Sequence, residues 1–233
     1  MSTGVIVQAR MTSTRLPGKI LAKIGGQTVL NHTLQRALKI GGVGTVVLAV
    51  PDDESADKVL NSGLPEDIKI FLGDEKNVLS RFYGVQNLFK FDNVIRLTAD
   101  CPFVDPLVCG KMLDMFLSER WDYISNGDPR TFPHGFDCEI FKASLINKAI
   151  LEAKTSYDLE HVTPYIKRMG IKKRNFTTAD FGVNADYSHR SFVVDTREDL
   201  ETLKLDFDPF QGKYNSKTFS FLDICEKHLC GPK

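Results

Sequence analysis

Strand and helix signals alternate four times in the first half of this 233-residue chain, and that rhythm restricts its fold more than any other feature. Val5–Ala9 reads as a strand, and Thr28–Ile40 follows as a helix with Val29, Leu30, Leu34, Ala37 and Leu38 on one face. Gly41-Gly42 stops that helix. Thr45–Val50 is a continuous apolar run, as expected of a strand buried on both faces. Asp52 to Ser55 can cap a helix reaching about Leu60. Ile68–Leu72 and Asn93–Thr98 supply two further strands, each followed by a helical pattern, at Asn77–Phe89 and from Asp105-Pro106 to about Leu117. Such alternation implies an α/β fold with a mostly parallel sheet and right-handed crossovers. Ligands of these sheets lie beyond the carboxyl ends of the strands. The loop from Arg10 to Lys19 and the turn at Asp100 both sit at such ends, so they are expected to share one edge.

Beyond Trp121 the rhythm changes. Tyr123–Ser125, Phe136–Phe141, Lys172–Thr177 and Phe192–Asp195 read as strands. Helices are expected at Ala143–Lys154 and Leu159–Met169, after Phe192–Asp195 through Leu205, and at Phe219–Leu229. No repeat or Gly/Ser linker interrupts the chain, so a single domain is expected, with about 121–190 as an inserted segment.

Lys and Arg balance Asp and Glu at 30 each, so no long-range field draws in nucleic acid or an anionic membrane. Any anion site must be local. The five cysteines, at 101, 109, 138, 225 and 230, form no C-x-x-C pair and no metal spacing, which suggests a reducing compartment. No apolar run approaches the roughly 20 residues that span a bilayer, and no leader pattern opens the chain. The expected location is cytoplasmic.

The stretch VIVQARMTSTRLPGK, residues 5–19, places Arg10, Arg15 and Lys19 in one loop after the first strand, among Ser and Thr hydroxyls. Arginine binds phosphate oxygens as a planar fork and lysine as a point charge. Pro17-Gly18 lets the backbone turn close to a ligand. The loop carries neither a Walker pattern nor a dinucleotide fingerprint. It reads as a polyphosphate cradle or as a solvated basic loop.

The segment QARMTSTRLPGKILAKIGGQTVLNH resembles the amino-terminal signature of cytidylyltransferases that make CMP-activated sugar acids, the 3-deoxy-manno-octulosonate and acylneuraminate enzymes. Arg10, Ser13, Arg15, Leu16, Pro17, Lys19 and Gly25-Gly26 match that pattern, while Thr28 stands where the family usually has proline. FLGDEKNVLSRFYG, RLTADCPFVDP, RTFPHGFDCEIF and DLEHVTPYI are similar to the branch of spore coat polysaccharide biosynthesis protein F, which commonly shows aspartate where His134 stands. The resemblance implies a Rossmann-like sheet of the nucleotide-diphospho-sugar transferase, or GT-A-like, type. It implies CTP as one substrate, bound by Ala9, Arg10, Ser13, Arg15 and Lys19, with Arg10, Lys19 and Asp100 as catalytic residues, while Arg81, at a helix start, reads equally as a nucleotide contact or a surface ion pair. It also implies a homodimer and a role in surface polysaccharide or glycoconjugate synthesis.

Asp100 and Asp195 end two of the expected strands. Two such carboxylates can hold Mg²⁺, whose octahedron is completed by water and phosphate oxygens. Each also has a plainer reading, Asp100 as a turn residue and Asp195 as a helix N-cap. The resemblance carries both over as metal ligands. Asp137 and Glu139 alternate with Phe136, Cys138 and Ile140 and are expected to share one face toward an acceptor. Arg130, His134, Glu160 and His161 are the remaining acceptor candidates, for a small acidic sugar or a phosphorylated compound. Two other activities compete. A nucleotide-sugar-dependent glycosyltransferase lacks its usual D-x-D here, since the turn reads Asp100-Cys101-Pro102. A non-catalytic nucleotide-binding module is disfavoured by the presence of Arg10, Lys19, Asp100 and Asp195.

Overall fold

Continuous apolar runs along the central strands put apolar side chains on both sides of one sheet, and helices cover each side. The computed structural model describes residues 1–208 and 212–229. In chain order the elements are β1 (Thr3–Gln8), β2 (Lys23–Ile24), β3 (Gln27–Thr28), α1 (Val29–Ala37), β4 (Thr45–Pro51), α2 (Ala56–Leu60), β5 (Lys69–Gly73), α3 (Val78–Phe89) and β6 (Asn93–Thr98). They continue as α4 (Pro106–Ser118), β7 (Tyr123–Ser125), β8 (Glu139–Lys142), α5 (Ser144–Glu152), α6 (Ser156–His161), α7 (Thr163–Arg168), β9 (Lys173–Asn175), α8 (Thr178–Phe181), α9 (Arg197–Asp206) and α10 (Phe221–Leu229).

The main sheet has seven strands in the order β5-β4-β1-β6-β8-β7-β9 among the described residues. The first four are parallel, β8 runs antiparallel to β6, and β7 antiparallel to β8. The chain moves outward from β1 to β4 and β5, then crosses back to set β6 on the other side of β1. That reversal opens a crevice at the carboxyl ends of β1 and β6.

Val5 and Val7 join Leu30, Leu34, Met112 and Phe116 in one apolar cluster, with α1 and α4. Ile6 joins Phe82, Val85, Ile146 and Ala149 in the other, with α3 and α5. Thr28, the departure from the family pattern, caps α1 by accepting the Asn31 amide at 3.1 Å.

Three expected elements take different forms. Phe192–Asp195 is extended but joins no ladder. It lies across two loops, with the Phe192 amide donating to the His134 carbonyl (2.8 Å) and the Val194 amide to the Asp100 carbonyl (2.9 Å). Gly135 permits this approach, because a Cβ there would stand 2.7 Å from the Phe192 backbone. Phe136–Phe141 pairs only from Glu139, since the Asn126 side chain engages the Phe136 carbonyl (2.7 Å) and the Cys138 amide (2.9 Å) ahead of the ladder. Leu159–Met169 is two short helices, α6 and α7. Val162 turns left-handed at φ 68° between them, and Pro164 occupies the first turn of α7 without an amide hydrogen. Cys101, Cys109, Cys138 and Cys225 are free thiols, and Cys230 lies outside the described residues. No helix among the described residues is long and apolar enough to cross a membrane.

Candidate functional site

The crevice beyond β1 and β6 holds a cavity of about 620 Å³. The loop after β1 enters it in an irregular path, with Gly18 at φ 71° closing the turn before Lys19. Arg10, Ser13, Arg15 and Lys19 all line this cavity, as do Asp100 at the end of β6 and Asp195 ahead of α9. The expected shared edge is therefore present.

Lys19 is the hinge of the charge arrangement. Its Nζ lies 2.7 Å from Asp100 Oδ2 and 3.0 Å from Asp195 Oδ1. Burial alone would lower the Lys19 ammonium, but the two carboxylates more than offset it and raise its pKa above the ordinary value. Arg15 closes on the other oxygen of Asp195 at 2.5 Å, and Arg10 pairs with Glu160 of α6 at 2.8 Å. Asp195 is not the cap of α9. Thr196 accepts the Asp199 amide, and the Asp199 carboxylate takes the Asp195 and Thr196 amides, in a capping box. The Asp195 carboxylate is thus left to the cavity.

Arg81, on α3, is almost fully buried behind the loop and lines the same cavity. Its Nη1 reaches the Ala9 carbonyl at 3.5 Å, while its Nε has no hydrogen-bond partner. Desolvation, and then the neighbouring Arg10, push its pKa down to about 10. Arg81 is thus a buried guanidinium on the cavity wall with one donor unsatisfied.

The acceptor candidates divide. Glu160 and His161 line the large cavity, and Asp137 lines both it and a neighbouring one of about 280 Å³. Asp137 Oδ1 takes Arg130 Nη2 at 2.5 Å and Oδ2 takes the Gly135 amide at 2.9 Å. Arg130 and Glu139 line only the smaller cavity of these two. His134 is exposed and lines neither, and its backbone bridges to the segment at Ser191. Asp137 and Glu139 do not share a ladder face, because pairing starts only at Glu139.

Glu139 is buried and fully engaged. Its Oε1 accepts from Tyr123 Oη (2.5 Å), Thr163 Oγ1 (2.9 Å) and Lys167 Nζ (2.7 Å), and its Oε2 from Arg96 Nη1. Burial would raise its carboxyl, but Arg96 and Lys167 pull it down to about 2. Arg96, Thr98 and Gln8, which no motif in the sequence singles out, also line the large cavity. A charged residue inside the apolar strand NVIRLT was the available signal for Arg96.

Two carboxylates whose oxygens both lie within 3.0 Å of one nitrogen are hard oxygen donors set close enough to share a small divalent cation. Among the described residues no group of three or more acidic, His or Cys side chains gathers into a metal cage. Sparse ligation of this kind fits Mg²⁺ completed by phosphate oxygens and water.

The sheet order and the crevice define an α/β nucleotidyltransferase fold. The cytidylyltransferase family model matches residues 4–211, and the chain belongs to that family. It is 32% identical over 211 residues to spore coat polysaccharide biosynthesis protein SpsF of Bacillus subtilis, spanning 85% of this chain and 83% of that protein. It is 32% identical over 140 residues to 3-deoxy-manno-octulosonate cytidylyltransferase of Rhizobium etli, 56% of this chain and 55% of that enzyme. The chain spans 55–83% of the length of the curated relatives it matches first. A solved cytidylyltransferase from Leptospira borgpetersenii superposes with a TM-score of 0.88 at 32% identity, covering 97% of this chain and 93% of that one.

Proposed function

We propose that this chain transfers CMP from CTP to a sugar acid, releasing pyrophosphate, in the synthesis of a surface polysaccharide or glycoconjugate, and that it does so with Mg²⁺. The observation that carries this reading is the meeting of Lys19 with Asp100 and Asp195 in a cavity that also holds Arg10 and Arg15. The name of the Rhizobium etli relative supports the octulosonate class of acceptor, and that of SpsF supports the polysaccharide role.

In the proposed reaction an acceptor hydroxyl attacks the α-phosphorus of CTP. The bond from that phosphorus to the bridging oxygen breaks, and pyrophosphate departs with the electron pair. Arg10, Arg15 and Lys19 neutralise the triphosphate and the charge gathering on the leaving group. Each is paired with a carboxylate, so a triphosphate would compete with Glu160, Asp100 and Asp195 for these cations. Ala9 follows β1 and Arg81 of α3 reaches its carbonyl, so backbone groups there and the Arg81 guanidinium would read cytosine or phosphate. Asp100 and Asp195 would hold Mg²⁺, which when bound supplies charge neutralisation on the phosphate oxygens. Asp100 would also orient the attacking hydroxyl or take its proton. The wall built by residues 121–190, including Arg130 and Asp137, would receive the acceptor, and the active form would be a homodimer in the cytoplasm.

Pyrophosphate release is the test, with CTP and Mg²⁺ against a panel of sugar acids and sugar phosphates. Release only with CTP and an acidic sugar is the expected result. CMP transfer absent with every acceptor, or glycosyl transfer from a nucleotide sugar instead, would overturn the reading.

A further inference from the structure

The smaller cavity opens beside the nucleotide cavity and shares Arg96, Thr98 and Asp137 with it. Any molecule lying there can present a hydroxyl across that shared boundary. Its charges are therefore a statement about the acceptor. Arg130 and Asp137 neutralise one another at 2.5 Å. Glu139 is different, because a single carboxylate serves two cations, Arg96 from β6 and Lys167 from α7. Tyr123 and Thr163 also donate to Glu139, so it has little capacity left for a ligand.

Register explains the arrangement. Arg96 stands directly opposite Glu139 across the β6–β8 ladder, so both side chains emerge on one face. Arg96 Nε donates to Gln8 Oε1 at 2.9 Å and its Nη1 to Glu139, which leaves the Nη2 edge of a mostly buried guanidinium. Lys167 reaches the same carboxylate with its side chain still 43% exposed. A purely structural ion pair needs one cation. The second, Lys167, still meets solvent and is free to face an anionic ligand in the cavity. The lining carries three cations, Arg96, Arg130 and Lys167, and three acids, Asp128, Asp137 and Glu139, with Asp128 and Lys167 the exposed members.

We infer that Arg96 and Lys167 anchor the carboxylate of the acceptor, with Glu139 as the fixed counter-ion that positions both cations rather than as a ligand of the sugar. This rests on the cytidylyltransferase reading and adds to it the groups that select an acid.

The experiment measures binding and turnover separately. N-acetylneuraminate and 3-deoxy-manno-octulosonate, each beside its C1 carboxamide, are titrated calorimetrically into the protein held with CTP and Ca²⁺ and assayed for pyrophosphate release with Mg²⁺. Arg96→Gln and Lys167→Met are compared with the wild type. The half-exposed Lys167 variant is the safeguard should Arg96→Gln fail to fold. The expected result is acceptor binding and KM weakened roughly tenfold or more by loss of a charged hydrogen bond. The KM for CTP stays within about twofold, and the preference for acid over amide collapses, effects that a merely structural role would not separate. An unchanged acid-over-amide preference in Lys167→Met overturns the inference, as does a wild type that binds neither acid. A wild type that binds an acid through these residues but releases no pyrophosphate upholds the anchor and refutes the transferase reading instead.

Discussion

Replacing Glu139 by glutamine removes the anion on which Arg96, Lys167, Tyr123 and Thr163 converge. The folded carboxyl titrates at about 2 against an ordinary 4.5, mainly because the two cations outweigh its burial. At about 1.4 kcal/mol per pKa unit, the charged form contributes about 3 kcal/mol of stability. A depressed acid contributes fully above its unfolded pKa and loses that contribution as pH falls through its folded one. The benefit is therefore intact at pH 7, starts to fall near pH 4.5, and has dropped by roughly 1.4 kcal/mol at pH 3.5. Urea unfolding of the wild type and Glu139→Gln at a series of pH values from 7 to 3.5 reads both numbers. The variant is expected to be about 3 kcal/mol less stable at neutral pH, with the gap narrowing only below pH 4.5. A gap under about 0.5 kcal/mol at pH 7, the size of an ordinary surface change, would refute the reasoning. A gap that widens on acidification would refute it too.

Lys19→Met leaves Asp100 and Asp195 facing one another without their shared cation. Turnover is expected to fall roughly 10²–10³-fold, and added Mg²⁺ should restore part of a lowered melting temperature, which differential scanning fluorimetry can follow. Glu160→Gln releases Arg10 from a half-exposed pair. Such pairs are worth at most about 1 kcal/mol, so calorimetry should show CTP binding unchanged or tightened by up to about fivefold. Weaker CTP binding would instead make Glu160 a nucleotide contact in its own right.

The parallel half of the sheet was legible because its strands are continuous apolar runs separated by capped helices, as with Thr45–Val50 and Thr28–Ile40. Strand ends then located Arg10 to Lys19 and Asp100 on one edge without any knowledge of side-chain contacts. Asp195 was found for a partly wrong reason, since its segment is held by the Asp100 and His134 loops rather than by a ladder. Glu139 shows where sequence runs out. Alternation placed it with Asp137, and both do line the smaller cavity, but its partner Arg96 follows from the ladder register, which depends on pairing 43 residues away. Its second cation, Lys167, comes from a helix whose start is set by the break at Val162, which a periodic pattern cannot show. His134 was selected by composition around it, and the structure leaves it at the surface outside both cavities.

The most direct test follows Mn²⁺ by electron paramagnetic resonance, as a spectroscopic substitute for Mg²⁺, while CTP is added to the wild type and to Asp100→Asn and Asp195→Asn. If loop cations and both carboxylates serve one nucleotide, the wild type takes up the ion together with CTP, and each variant loses most of that uptake while keeping its fold by circular dichroism. Equal Mn²⁺ uptake by all three proteins would contradict the account.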